Sequence, residues 1–131
     1  MPLNAALVGK TYPAQSFALD AARVAAFAEV VGQPGEGVPP TFVTGAEQAT
    51  VAEVIGDEEL SLDYSRVVHG EQTYEWGRAL AVGEILTAEA TIADIRSRGG
   101  LELLTVRTEL RAEAGRVVVV CRSMLIVRAT V

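Results

Sequence analysis

Between residue 65 and residue 128 the chain reads as four long strand-like runs separated by short turns. This feature constrains the fold more than any other. The runs cover residues 65–76, 85–96, 101–113 and 116–128 and are rich in Val, Thr, Leu and Ile. In the third, Leu104, Val106, Thr108, Leu110 and Ala112 alternate with Thr105, Arg107, Glu109, Arg111 and Glu113. A period of two is the signature of a half-buried strand. In the fourth, Val117, Val119, Cys121, Ser123, Leu125 and Val127 share one face. Val118, Val120, Met124 and Ile126 make its other face largely apolar too, as in a central or interface strand. Ala81-Val82-Gly83-Glu84, Arg98-Gly99-Gly100 and Ala114-Gly115 mark the turns, and connections this short fit antiparallel hairpins.

The first half of the chain is helical in pattern. Asp20 is placed as an N-cap, and Val24, Phe27, Ala28 and Val31 follow at helical spacing, predicting a helix over 21–31 stopped by Gly32. The segment 11–19 before it suits a short edge strand despite Pro13. Gln33-Pro34-Gly35-Glu36-Gly37-Val38-Pro39-Pro40 is a loop by composition. A second helix is expected over 41–55, entered through Pro39-Pro40 and ended by Gly56. Thr44 and Glu47 have capping-box spacing, which would put the start later. Phe42, Val43, Ala46, Val51, Val54 and Ile55 point nearly all round this second helix, so it reads as buried.

A chain of 131 residues is expected to form one domain, spanning 1–131. Strands of ten to thirteen residues are long. Sheet strands of that length curling round one apolar helix give an α+β architecture, the hot-dog fold, and this is the fold class the sequence predicts.

Composition removes many functions. There is one histidine, His69, and one cysteine, Cys121. That excludes an intrachain disulfide and any mechanism needing two histidines, and it argues against a zinc site of His/Cys type. No metal site and no cofactor are expected. Eleven basic against seventeen acidic residues leave a net charge of −6, which argues against nucleic acid as a partner. The N-terminal ten residues lack a basic start and a long apolar run, so they do not read as a signal peptide. No apolar stretch approaches the ~20 residues of a membrane span. A cytoplasmic location is the expectation.

Two segments carry a family resemblance. Val38-Pro39-Pro40-Thr41-Phe42 leads into the second helix. Val68-His69-Gly70-Glu71-Gln72 opens a block that runs through Leu80-Ala81-Val82-Gly83-Glu84 to Ile85-Leu86. Together they resemble the MaoC-like hot-dog hydratases. The closer similarity is to the N-terminal, fatty-acid-synthase-type branch, which includes the actinobacterial (3R)-hydroxyacyl-ACP dehydratase subunits. The resemblance spans residues 8–128. It implies hydration or dehydration of an acyl thioester carried on CoA or a carrier protein, with a second hot-dog subunit or a second copy as partner.

The departure from that family is equally informative. Active relatives carry a Gly-Asp-x-Asn-Pro-x-His-type segment whose aspartate and histidine form the hydration dyad. Residues 31–40 here are short and contain neither Asp nor His. Hydration of an enoyl thioester needs a base to activate water and an acid to protonate the α-carbon. The resemblance therefore implies the acyl-binding, dyad-lacking partner of a catalytic hot-dog subunit. Two alternatives stand beside it: a homodimeric thioesterase using Glu47, and a non-catalytic acyl-binding module.

The candidate residues each carry a plainer reading. His69 is an active-site or pantetheine contact, or a strand histidine bonded to backbone or to Glu71. Glu47 is a helix carboxylate poised for chemistry, or it caps the helix through Thr44 or reaches solvent at a dimer seam; buried, it needs a partner. Phe42, Gly45 and Ala46 are candidates to line a thioester site at the helix N-terminus, where backbone N–H groups polarise a carbonyl, or simply to pack closely. Tyr74 and Trp76, two apart on one strand face, line an acyl tunnel or anchor a core. Arginines such as Arg78 and Arg122 are candidates for a phosphate of the CoA or carrier arm, or for strand-face ion pairs. Cys121 reads as a small buried hydrophobe.

Overall fold

The computed structural model describes residues 2–33, 35 and 37–128, so Pro34 and Glu36 of the predicted loop lie outside the described residues. The expected elements form in the expected order. Strand β1 is Gln15–Ala18, helix α1 is Ala21–Val30 and helix α2 is Thr44–Ile55. Four long strands follow: β2, Val67–Trp76; β3, Ile85–Arg98; β4, Leu101–Arg111; and β5, Val117–Arg128. They make one antiparallel sheet in the order β1-β3-β4-β5-β2. The doubly apolar run is β5, which lies between β4 and β2 as a strand of that pattern should.

The local signals act as physical chemistry dictates. The Asp20 carboxylate accepts from the Arg23 N–H and caps α1. Gly32 follows α1 with φ of 72°, a conformation that costs a glycine little, and the Gln33 N–H returns to the Ala28 carbonyl. Pro40 starts a 3₁₀ turn, Pro40–Val43, that runs straight into α2. The capping box does not form. Val43 is the N-cap residue of α2 and offers no side-chain bond, while Thr44 and Glu47 are engaged elsewhere.

The core has two apolar clusters. One, at the start of α2, gathers Leu19, Phe42, Val43, Leu86, Leu110 and Val119. The other, at its end, gathers Val51, Val54, Ile92, Leu104, Val106 and Val127. Each such side chain, taken fully out of water, contributes roughly 1.5–3 kcal/mol. Among the described residues, four polar side chains are buried: Glu47 and Thr50 on α2, and Thr108 and Ser123 on the inner faces of β4 and β5. The Thr50 and Thr108 hydroxyls meet at 3.1 Å, and the Thr50 hydroxyl donates to the Glu47 carbonyl at 2.8 Å. Glu47 and Ser123 meet at the edge of this layer.

The helix is covered by sheet on one side. Ala46, Glu47, Thr50, Val51 and Val54 are buried, whereas Gly45, Gln48, Ala49 and Ala52 form an exposed stripe. Beyond that stripe, between α2 and the strand pair β5–β2, the chain is open.

Candidate functional site

The opening is a groove of about 760 Å³ that runs the length of α2. Thr41, Thr44 and Tyr74 line one end, Glu47, Gln72 and Ser123 the middle, and Ile55, Tyr64 and Val67 the other end. His69 also borders it.

A β-bulge decides which residues of β2 face the groove. Register against β5 runs His69 to Leu125 and then Glu71 to Met124, so Gly70 is the extra residue. Side chains alternate along a strand, and one inserted residue reverses the alternation beyond it. Val67 and His69 therefore share the groove face with Gln72 and Tyr74. Glycine suits this position because an added Cβ would stand 2.7 Å from the Ile126 Cδ1.

The middle of the groove is a hydrogen-bonded cluster. Glu47 is only 1% exposed. Its Oε2 accepts from the Gln72 side-chain amide at 2.8 Å and lies 2.7 Å from the Ser123 hydroxyl. That hydroxyl is also 2.7 Å from the Gln72 Oε1. Glu47 neither caps the helix nor reaches solvent, as the plainer sequence reading had it. It joins α2 to β2 and β5, and these donors offset the cost of burying a carboxylate.

Around it the groove is chemically quiet. Tyr74 and Thr44 share a hydrogen bond of 2.6 Å across the groove. Burial raises the Tyr74 phenol above its ordinary range, against the opposing Thr44 bond, so it remains a neutral hydroxyl. Cys121, inside the core, is pushed up to about 12 by burial and then by the Glu47 charge, which makes it an inert thiol. Among the described residues, no cluster of His, Cys, Asp or Glu is placed to hold a metal ion.

Of the residues the sequence singled out, Glu47, His69 and Tyr74 come together on the groove. Phe42, Gly45 and Ala46 do not line it. Phe42 packs its ring against Phe17 and Phe27, Gly45 stands against Phe17, and Ala46 is buried in the core. Trp76 shares a face with Tyr74, its ring 6.4 Å away, but lines a separate cavity of about 290 Å³ with Val38, Pro40 and Arg78. Arg78 is forked onto Glu84 within the β2–β3 connection, and Arg122 pairs with Glu75 as a strand-face ion pair. Glu84 also accepts from the Ala81 N–H at 2.7 Å, so the Leu-x-x-Gly-Glu segment is a turn lock. Sequence reasoning missed Gln72 and Ser123. The available signal was polar side chains at positions that strand periodicity places inside.

Comparison with known proteins agrees with this architecture. The sequence profile described as "FAS1-like, dehydratase domain region" matches residues 31–121. The chain belongs to this dehydratase-domain family. The resemblance read from residues 38–42 and 68–86 is thus borne out at the level of the family. A UPF0336 protein of Streptomyces coelicolor is 36% identical over 146 aligned positions, covering 98% of this chain and 97% of the relative. That aligned length exceeds the 131 residues here, so the relative carries segments this chain lacks. Two solved structures from Mycobacterium tuberculosis share the fold. The C-terminally truncated HadBC (3R-hydroxyacyl-ACP dehydratase) complex matches with TM-score 0.79 and 18% identity, covering 92% of this chain and 96% of that one. The ChsH1–ChsH2 complex matches with TM-score 0.67 and 16% identity, covering 92% and 98%. The family member described here is thus a dehydratase-type hot-dog protein. No helix among its described residues is long and apolar enough to cross a membrane.

Proposed function

We propose that this chain is the acyl-binding subunit of an (R)-specific enoyl-thioester hydratase, or 3-hydroxyacyl-thioester dehydratase, and that a second hot-dog chain supplies the Asp/His dyad. The observation that carries the reading is the groove beside α2. It is long enough for an acyl chain, yet residues 31–40, which lead into its helix, contain neither Asp nor His. The substrate is an acyl thioester on CoA or a carrier protein, in the cytoplasm. The reaction adds or removes water with no change of oxidation state, so it calls on no cofactor.

The open geometry supports a partner. β2 is an edge strand, with one side bonded to β5 and the other free. Unpaired edges are normally covered. A second hot-dog chain on this edge would extend the sheet, cover the Gly45–Gln48–Ala49–Ala52 stripe and close the groove. Two of the structural neighbours are themselves complexes of two named chains.

The test is hydration of crotonyl-CoA and of a longer enoyl-CoA. The purified chain is expected to be inactive alone and to turn over when a dyad-bearing hot-dog chain is added. Robust turnover by the single chain overturns the proposal.

One observation favours a second reading, a homodimeric thioesterase: the Glu47 carboxylate stands on the groove wall. Thiol release from acyl-CoA, lost in Glu47→Gln, would establish it. No hydrolysis across several chain lengths removes it.

A further inference from the structure

The two carboxylate oxygens of Glu47 are not equivalent. Oε2 lies within 2.8 Å of both the Gln72 amide and the Ser123 hydroxyl, but Oε1 accepts no hydrogen bond among the described residues. The side chain is 1% exposed and lines the groove. Among the described residues only the Arg107 Nε is a buried side-chain polar atom with no partner, so Oε1 is not sealed in: it is the oxygen through which Glu47 meets the groove, and a ligand seated there must either bond it or strip it of water. The contacts at Oε2 also fix the side chain, so Oε1 is held in place before any ligand arrives.

Its position along the groove defines what would meet it. Glu47 is three residues beyond Thr44, about 4.5 Å along the helix axis. The Thr44–Tyr74 hydroxyl pair lies on one side of it, and Val51, Leu125 and Ile55 lie beyond it. An acyl chain entering with its thioester at the helix start passes Oε1 near its head and only then reaches apolar wall. A plain alkyl chain there leaves the carboxylate oxygen desolvated and unpaired. A hydroxyl near the carbonyl donates to it.

We infer that Glu47 is a specificity-determining residue whose Oε1 accepts a hydrogen bond from a hydroxyl close to the thioester, so that the groove selects hydroxyacyl over unsubstituted acyl ligands. The inference rests on the acyl-binding reading above. Sites built to bond a hydroxyl discriminate strongly against analogues lacking it, because their own polar group is then left unpaired.

The experiment is calorimetric titration of the purified protein with 3-hydroxydecanoyl-CoA, decanoyl-CoA and 10-hydroxydecanoyl-CoA. The 3-hydroxy ligand is expected to bind about tenfold more tightly than decanoyl-CoA. The hydroxyl at the far end is expected to confer no such preference. In Glu47→Gln, which keeps the shape of the side chain, the ratio is expected to collapse toward one. Equal binding of 3-hydroxydecanoyl-CoA and decanoyl-CoA by the native protein overturns the inference and leaves the acyl-binding reading intact, without recourse to any variant. A preference that survives in folded Glu47→Gln also overturns it. If none of the three ligands binds, the acyl-binding reading falls and takes this inference with it.

Discussion

Ser123 on β5 and Glu47 on α2 meet at 2.7 Å, hydroxyl to carboxylate, in the wall of the groove. The two residues are 76 positions apart in the sequence. Ser123→Ala should leave Glu47 with the Gln72 amide as its remaining side-chain donor. The expected loss is about 1–3 kcal/mol of stability, read from the urea midpoint at unchanged slope. A loss below about 0.5 kcal/mol, the scale of an ordinary surface change, would mean that Gln72 alone suffices.

The bulge at Gly70 offers a sharper test of packing. A Cβ there meets the Ile126 Cδ1 at 2.7 Å, the end of a half-buried side chain, so Gly70→Ala should destabilise by about 0.5–1.5 kcal/mol, the cost of pushing Ile126 off its rotamer. Ile126→Val removes that terminal methyl. The double variant should recover most of the loss, with a coupling energy above about 0.5 kcal/mol in a double-mutant cycle. Strictly additive effects would show that the clash is relieved elsewhere.

At the far end of the groove's helix, Asp57 anchors the N-terminal segment. Its Oδ2 accepts from the Lys10 ammonium and from the Tyr12 hydroxyl, each at 2.7 Å. The Lys10 bond, then the Tyr12 bond, hold the Asp57 carboxyl below its ordinary value of 3.8. A folded-state value below the unfolded one stabilises above the unfolded value and is lost as pH falls through the folded one. The melting temperature of the native protein should therefore exceed that of Asp57→Asn at neutral pH, and the gap should close below about pH 4. A gap of constant size down to low pH contradicts the charged-pair account.

Cys121 should be nearly unreactive in the folded protein. It is fully buried, and its thiol is pushed up to about 12. Thiolate is the reacting form, so iodoacetamide at pH 8 should label it only through unfolding, and at once in denaturant. Prompt labelling under native conditions would place the thiol within reach of solvent.

Much of this protein was legible because its signals are local. The alternation of Leu104, Val106, Thr108 and Leu110 marked β4, and that strand's inner face is buried as read. Asp20 and Gly32 marked the ends of α1. The all-round apolar pattern of α2 located the central helix but misjudged its surroundings. Gln48, Ala49 and Ala52 stay open in the single chain, because how far a sheet curls over a helix depends on its twist and strand order. Phe42, Gly45 and Ala46 were placed near a ligand by their position at the helix start. The structure turns Phe42 and Ala46 to the core and leaves Gly45 in the exposed stripe beside the Phe17 ring, so none of the three lines the groove.

The sequence by itself determined the architecture and the absence of Asp and His from residues 31–40. Periodicities of 2 and 3.6 and the turn residues act within a few positions of chain, so they can be read without a structure. Only the tertiary structure decided that Glu47, Gln72 and Ser123 form one cluster. That meeting depends on the register of β2 on β5 and on one inserted residue, Gly70, which brings Gln72 onto the same face as His69. A register slip of one position would turn Gln72 away from Glu47, and no local pattern in the chain encodes that choice.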